Sequence, residues 1–259
     1  MTVPVHVTSR DNPLLVRLRK LAHDGDAYKR VGSPRQLWLE GEHLCSAWRG
    51  QGADAEVAVL TDFAWAQPAL RALASAARKV VVVPVPLFAA LSELASPAAI
   101  GYVVALPAAP AIVPDLASVV LDRLQDAGNV GSILRSAAAF GVRQVLALKG
   151  TAGLWSPKVV RAAMGAHFGL RLIEGLQEDE LASLAVPLVA TRSHGGADLS
   201  SALLPRPCAW VLGHEGQGVA ASLLARCALQ VRIPQPGGQE SLNVAAAAAV
   251  CLYESARRV

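Results

Sequence analysis

The chain has 259 residues, 53% hydrophobic and 17% charged, with a formal net charge of +4 and a pI near 9.1. That is long enough for one large domain or two small ones with a real core. The mild basic bias allows a nucleic acid partner without demanding one. The excess is uneven, because the first 35 residues hold seven basic side chains against three acidic ones. Cys45, Cys208, Cys227 and Cys251 lie far apart with no C-x-x-C, which argues for reduced, buried thiols and against a structural zinc site. The N-terminus lacks the apolar core of a signal peptide, and no apolar run reaches the roughly 18 uncharged residues of a membrane span. These features predict a soluble, cytoplasmic protein.

In chain order, residues 9–24 place Leu14, Leu15, Leu18, Leu21 and Ala22 at helical spacing, with Arg17, Arg19 and Lys20 on the other side. This predicts an amphipathic helix with Asp11 or Asn12 as cap and Pro13 at its first position. Its charges form either a solvated face or an RNA-facing one. A strand over 36–40, a helix over 42–48, a strand over 57–60, a helix over 65–77 and strands over 80–83 and 100–106 follow. This alternation predicts a small α/β domain over residues 1–106. Three prolines between Leu106 and Asp115 read as a stiff linker over 107–115.

From 116 to 259 the alternation is clearer. Strand-like runs fall at 118–121, 144–148, 187–190, 209–212 and 229–233. Helical stretches fall at 130–140, 157–164, 178–184, 219–226 and 244–257. Short apolar strands joined by helices predict a parallel sheet covered on both faces, with ligands at the carboxyl ends of its strands.

Three loops leave that edge. In the first, a strand ending near Leu121 turns through Gly128, Asn129 and Gly131 into a helix. There Asn129, Ser132 and Arg135, spaced by three, share one side. An amide, a hydroxyl and a guanidinium at a helix N-terminus suit phosphate or ribose, although capping beside an exposed Arg is the plainer alternative. The second, Val211 to Val219, carries glycines at 213, 216 and 218, so the backbone can approach a ligand closely. It is not a phosphate P-loop, because no G-K-[ST] follows and Glu215 would repel phosphate. His214 reads as an ordinary loop residue. The third runs from Ile233 through a Pro/Gly stretch to Glu240, Ser241 and Asn243, immediately before an alanine-rich helix whose free N–H groups can hold a polar ligand. Simple capping is again the alternative.

In order and spacing these three loops resemble the signature motifs of the SpoU-type (TrmH family) RNA ribose 2'-O-methyltransferases of the SPOUT class. The matching residues are Asn129, Gly131 and Arg135, then Gly213, Glu215, Gly216 and Gly218, then Ile233, Pro234, Ser241, Leu242, Asn243 and Val244. The segment 156–168 resembles the stretch between the first two motifs, and the N-terminal region resembles a substrate-binding domain that many members carry. Ala127 departs from a usual proline, and 96–101 fits only loosely.

The resemblance implies a C-terminal trefoil-knotted parallel-sheet methyltransferase domain preceded by a small α/β RNA-binding domain. It implies a homodimer whose active sites borrow from the neighbour, S-adenosylmethionine as cofactor, no metal, and RNA as substrate, with ribosomal RNA favoured over transfer RNA. It assigns Ala190, Thr191, Leu212, Gly213, Glu215, Gly216, Ile233, Ser241 and Leu242 to the cofactor. Asn129, Arg135, Glu215, Ser241 and Asn243 fall to the catalytic site, with Arg135 positioning RNA phosphate and assisting deprotonation. Arg10, Arg17, Arg19 and Lys20, with Asn129 and Arg135, would touch RNA. The alternatives are a transfer RNA methyltransferase, or an inactive RNA-binding ribosome-assembly factor that kept the fold. A nicotinamide-dependent dehydrogenase would want a different glycine pattern.

Overall fold

The computed structural model describes residues 3–30, 35–238 and 241–258; Glu240 lies outside them. The chain forms two compact units. One contains the described residues up to Ala108 and, from further along the chain, Trp155–Phe168; the other contains Ala109–Leu154 and the described residues from Gly169 onward.

The first unit comprises β1 (Val5–His6), α1 (Pro13–His23), β2 (Gln36–Glu40), α2 (Glu42–Gly50), β3 (Val57–Thr61), α3 (Asp62–Ala66), α4 (Pro68–Ala74), β4 (Lys79–Val83), α5 (Val85–Ala89) and β5 (Ile100–Ala105). Its sheet has the order β1-β4-β3-β5-β2, with β1, β4 and β3 parallel and β5 antiparallel to both its neighbours. Val57, Val59, Val81, Val83 and Val103 alternate onto one face and pack with Leu15, Leu18 and Leu21 of α1, as the period-two and period-3.6 patterns require. Asn12, not Asp11, caps α1, accepting the Leu14 N–H at 3.0 Å. The continuous helix expected over 65–77 is broken in two. Thr61 caps the first piece, and Gln67, forced into an extended conformation before Pro68, ends it. Gly101 lies flat under an indole: a Cβ there would sit 2.3 Å from the Trp38 ring.

The second unit begins with β6 (Ser118–Asp122), α6 (Ala127–Ala139) and β7 (Gln144–Leu148). Next in the chain is α7 (Pro157–Ala163), the helix of the segment that belongs to the first unit. There Arg161 pairs with Glu93 at 2.8 Å, and the His43 Nε2 meets the Met164 carbonyl at 3.1 Å. The sequence pattern places 157–164 inside one continuous second domain, since a contact about 70 residues away leaves no local mark. The second unit resumes with β8 (Arg171–Leu176), a 3-10 turn (Glu178–Ser183), β9 (Leu188–Arg192), β10 (Ala197–Asp198), β11 (Ala209–Gly213), α8 (Ala221–Arg226), β12 (Leu229–Arg232) and α9 (Val244–Arg257).

Its seven strands run β10-β12-β9-β11-β6-β7-β8 and every pair is parallel. One face buries Val120, Leu146, Val211 and Ala190 against Leu181 and Leu223. Over the other lies α9, whose Ser255 hydroxyl receives the Trp210 indole N–H at 2.9 Å. Coverage of both faces explains why these strands read as unbroken apolar runs. Two strands leave no clear trace in the sequence. The first, β8, mixes Arg171 and Glu174 into its run and skips Gly175 (φ +77) in its pairing with β7, a bulge that spoils the alternation. The second, β10, is a two-residue edge. No helix among the described residues is long and apolar enough to cross a membrane. Cys45, Cys208 and Cys251 are buried; Cys227, expected to be buried, is half-exposed.

Candidate active site

Because all seven strands are parallel, the ends of β6, β11 and β12 open onto one edge, and the three glycine- and asparagine-bearing loops meet there. The loop after β11 is very narrow at its neck. A Cβ on Gly213 would fall 2.1 Å from both the Gly218 carbonyl carbon and the Val219 nitrogen, so only glycine allows the chain to double back. The Gly218 N–H closes the neck onto the His214 carbonyl at 2.8 Å. Inside the loop, the His214 Nδ1 accepts the N–H groups of Gly216 (3.0 Å) and Gln217 (3.3 Å). His214, an ordinary loop residue by its sequence context, is therefore the loop's internal staple.

This fold carries Glu215 to the start of α6. Its carboxylate accepts the backbone N–H groups of Gln125 (3.3 Å) and Asp126 (3.1 Å) and the Asn129 amide (3.3 Å). Free N–H groups at a helix N-terminus favour a carboxylate there. Burial pushes the Glu215 carboxyl upward, but bonds from its own backbone N–H, Asp126, Asn129 and Gln125 together hold it below the usual carboxylate range.

The first loop is shorter than the sequence suggests. Asp126 caps α6, its Oδ1 taking the Asn129 N–H at 2.7 Å, so Gly128, Asn129 and Gly131 lie inside the helix and not in a turn before it. Two glycines in one helical turn look like a loop, yet the Asp126 cap on the Asn129 N–H starts the helix at Ala127. On the third loop, the Asn243 Oδ1 caps α9 through Ala245 (2.9 Å) and Ala246 (3.2 Å), while its Nδ2 donates to the Asn129 Oδ1 at 3.0 Å. One continuous array, Glu215 to Asn129 to Asn243, thus joins all three loops. Of the two alternatives that the sequence leaves open, capping is what the structure shows, and the same Asn243 is bonded to Asn129.

A cleft of about 530 Å³ opens beside this array, within the ~300–1,000 Å³ range of small-molecule sites. Thr191, Gly213, Glu215, Gly216, Ile233, Ser241, Leu242 and Asn243 line it. Ala190 and Leu212 do not: both are fully buried in β9 and β11 behind it. Arg192, His194, Gln217 and Gln235 line it without having been expected; dispersed polar residues in loops carry no pattern that singles them out. Arg135 is exposed on α6, is not among the residues that line the cleft, and makes no hydrogen bond or ion pair among the described residues. Among the described residues, no cluster of His, Cys, Asp or Glu could hold a metal ion.

Of the cations expected to meet RNA in the first unit, Lys20 is exposed, and Arg10 is exposed beside Asp11 at 3.8 Å. Arg17 and Arg19 are only half-exposed, flanking the buried stripe of α1, and Arg19 donates to the Arg10 carbonyl at 2.8 Å.

Similar proteins have been described. The crystal structure of the SpoU methyltransferase AviRb from Streptomyces viridochromogenes, in complex with AdoMet, superposes with a TM-score of 0.85 at 26% identity, covering 95% of this chain and 98% of that one. An uncharacterized tRNA/rRNA methyltransferase of Synechocystis is 33% identical over 97% of this chain and 93% of its own length. The 23S rRNA (guanosine-2'-O-)-methyltransferase RlmB of Bordetella pertussis is 38% identical over 54% of this chain. The aligned part spans only 58% of RlmB. The chain thus shares its fold with RNA 2'-O ribose methyltransferases, among them one solved with AdoMet bound. The model of the SpoU rRNA Methylase family matches residues 117–253, and the chain belongs to that family.

Proposed function

We propose that this protein methylates a ribose 2'-hydroxyl of ribosomal RNA, working in the cytoplasm as a homodimer. The observation that carries the reading is the array joining Glu215, Asn129 and Asn243 at the rim of the 530 Å³ cleft. The cleft suits the cofactor: Gly213 lets backbone approach closely, Val219, Leu224 and Ile233 offer an apolar wall, and Thr191, Ser241 and Asn243 add hydroxyls and an amide. When bound, S-adenosylmethionine supplies a methyl group on a sulfonium. The chain's own residues then orient the acceptor. Glu215, held ionised by its donors, pins Asn129. Asn129 and Asn243 fix one another, leaving amide edges and the Ser241 hydroxyl for a ribose.

Arg135 offers a donor fork suited to RNA phosphate. Its exposure outside the lining of its own chain's cleft, with no partner among the described residues, supports an assignment to the site of a second copy. The exposed stripe of α9, with Ala246, Val250 (40% exposed) and Tyr253 (55% exposed), supports a homodimer through this helix. The trefoil threading of the chain end belongs to the same proposal. It is supported by α9 lying over β11 while its cap bonds to α6. The first unit would grip folded RNA by phosphate and shape through Arg10, Arg17, Arg19 and Lys20. The preference for ribosomal RNA is supported by the relatives named for it.

The test is mass-spectrometric nucleoside analysis of ribosomal and transfer RNA, purified separately, from cells with and without the gene. Loss of one 2'-O-methylnucleoside from ribosomal RNA, restored by wild type and not by Arg135→Ala, is expected. A loss confined to transfer RNA would overturn the substrate assignment, and full restoration by Arg135→Ala would overturn the role of that residue.

A further inference from the structure

Arg123 stands just past the end of β6 with φ +60, a left-handed conformation that is uncommon for a side chain larger than glycine. Strain of this kind persists only where surrounding contacts hold it, and here they converge from three strands. The backbone N–H donates to the Thr151 hydroxyl at 3.1 Å, which itself donates to the Leu121 carbonyl at 3.0 Å. The aliphatic stem lies over Gly150, whose Cβ, were there one, would stand 3.3 Å from the Arg123 Cγ. The guanidinium makes a forked pair with Asp122, at 2.7 and 3.1 Å, and then reaches across to the Gln217 side-chain oxygen at 3.1 Å. Asp122 is only 2% exposed, and its Oδ2 also accepts the Ala220 N–H at 2.7 Å.

Two consecutive residues at the end of β6 therefore grip the glycine-rich loop at two points: Asp122 just beyond the neck, and Arg123 at the tip through Gln217, a residue of the cleft wall. His214 staples the same loop from within, and the N–H groups of Gln125 and Asp126 hold it at Glu215. We propose that Asp122 and Arg123 form a clamp, with Arg123 as a positioning residue that holds the tip of the 213–218 loop in its cofactor-binding shape. The inference rests on the reading of this cleft as the S-adenosylmethionine site. The strained backbone is what aims the guanidinium; from an extended Arg123 the side chain would leave on another course.

The experiment is calorimetric titration of S-adenosylmethionine into the full-length protein as wild type, Arg123→Lys, Gln217→Met and the double variant, with steady-state KM and kcat on the RNA. Both single variants leave a cation beside Asp122, so the fold is retained; a lysine ammonium cannot reproduce the fork. Each single variant is expected to weaken cofactor binding about 10-fold, the loss of one hydrogen bond to a charged group, seen in KM for the cofactor with kcat kept within about twofold. The double variant is expected to be no weaker than the worse single, because both remove one contact. Additive losses would mean that Gln217 acts on the cofactor alone, and unchanged affinity in Arg123→Lys would mean that Arg123 serves stability only; either result overturns the clamp. Failure of the wild type itself to bind would instead overturn the reading of the cleft.

Discussion

Replacing Gly213 by alanine tests the site at its narrowest point. The added methyl would lie 2.1 Å from two backbone atoms of the returning strand of the loop, where even tight contacts need 3.0–3.4 Å. Backbone cannot swing aside as a side-chain tip can, so the neck must open by about 1 Å. That movement strains the Gly218 to His214 bond and the Ala220 to Asp122 bond, 2.8 and 2.7 Å long. Two bonds of about 1 kcal/mol each, with about 1–2 kcal/mol of overpacking, make a penalty of roughly 3 kcal/mol. Borne by the cofactor-binding shape of the loop, this lowers S-adenosylmethionine affinity about 100-fold. Calorimetric titration measures it directly, alongside a melting curve to separate loss of site from loss of fold. Affinity within twofold of wild type would refute the reasoning, since it would mean that the neck is not required for binding.

Three further outcomes are expected. Ala127 is the first residue of α6, its N–H makes no hydrogen bond among the described residues, and Asp126 before it is extended (φ −76, ψ 116). Ala127→Pro should therefore stabilise by about 0.4–1 kcal/mol, read as a rise in Tm; a fall would show that the N–H has a partner. Because the folded Glu215 carboxyl is held below its usual range, its contribution is fully present above the unfolded value near ~4.3 and is lost as pH falls through the lower folded value. Cofactor binding limited by this group should stay level down to about pH 5 and fail in stronger acid, while Glu215→Gln weakens it at neutral pH; a wild-type loss between pH 7 and pH 5 would contradict this. Gly101→Ala drives a methyl into the Trp38 ring and should cost about 1–3 kcal/mol of stability, measured by urea unfolding, with cofactor affinity unchanged.

The motif residues are legible in the sequence itself, because glycines, asparagines and a glutamate at loop positions are dictated by local geometry and by the ligand. Strand cores are equally legible: β2 and β7 have the bounds that apolar periodicity predicts, and α9 spans Val244–Arg257, the stretch expected to be helical. These features depend on neighbours in sequence, and burial on both faces leaves its mark in each strand separately.

What only the tertiary structure decided depends on residues distant in sequence. Nothing in the local pattern brings Asn243 within 3.0 Å of Asn129 or sets the Glu215 carboxylate on the N–H groups of Gln125 and Asp126. The same holds for Trp155–Phe168, an amphipathic segment whose partner sheet cannot be named from its own residues. Arg123 is the sharpest case. In sequence it is one arginine among many after a strand, and its left-handed backbone and reach to Gln217 exist only because β6, β7 and β11 lie side by side. Local chemistry determines which residues can serve a site, and the packing of parallel strands determines which of them meet.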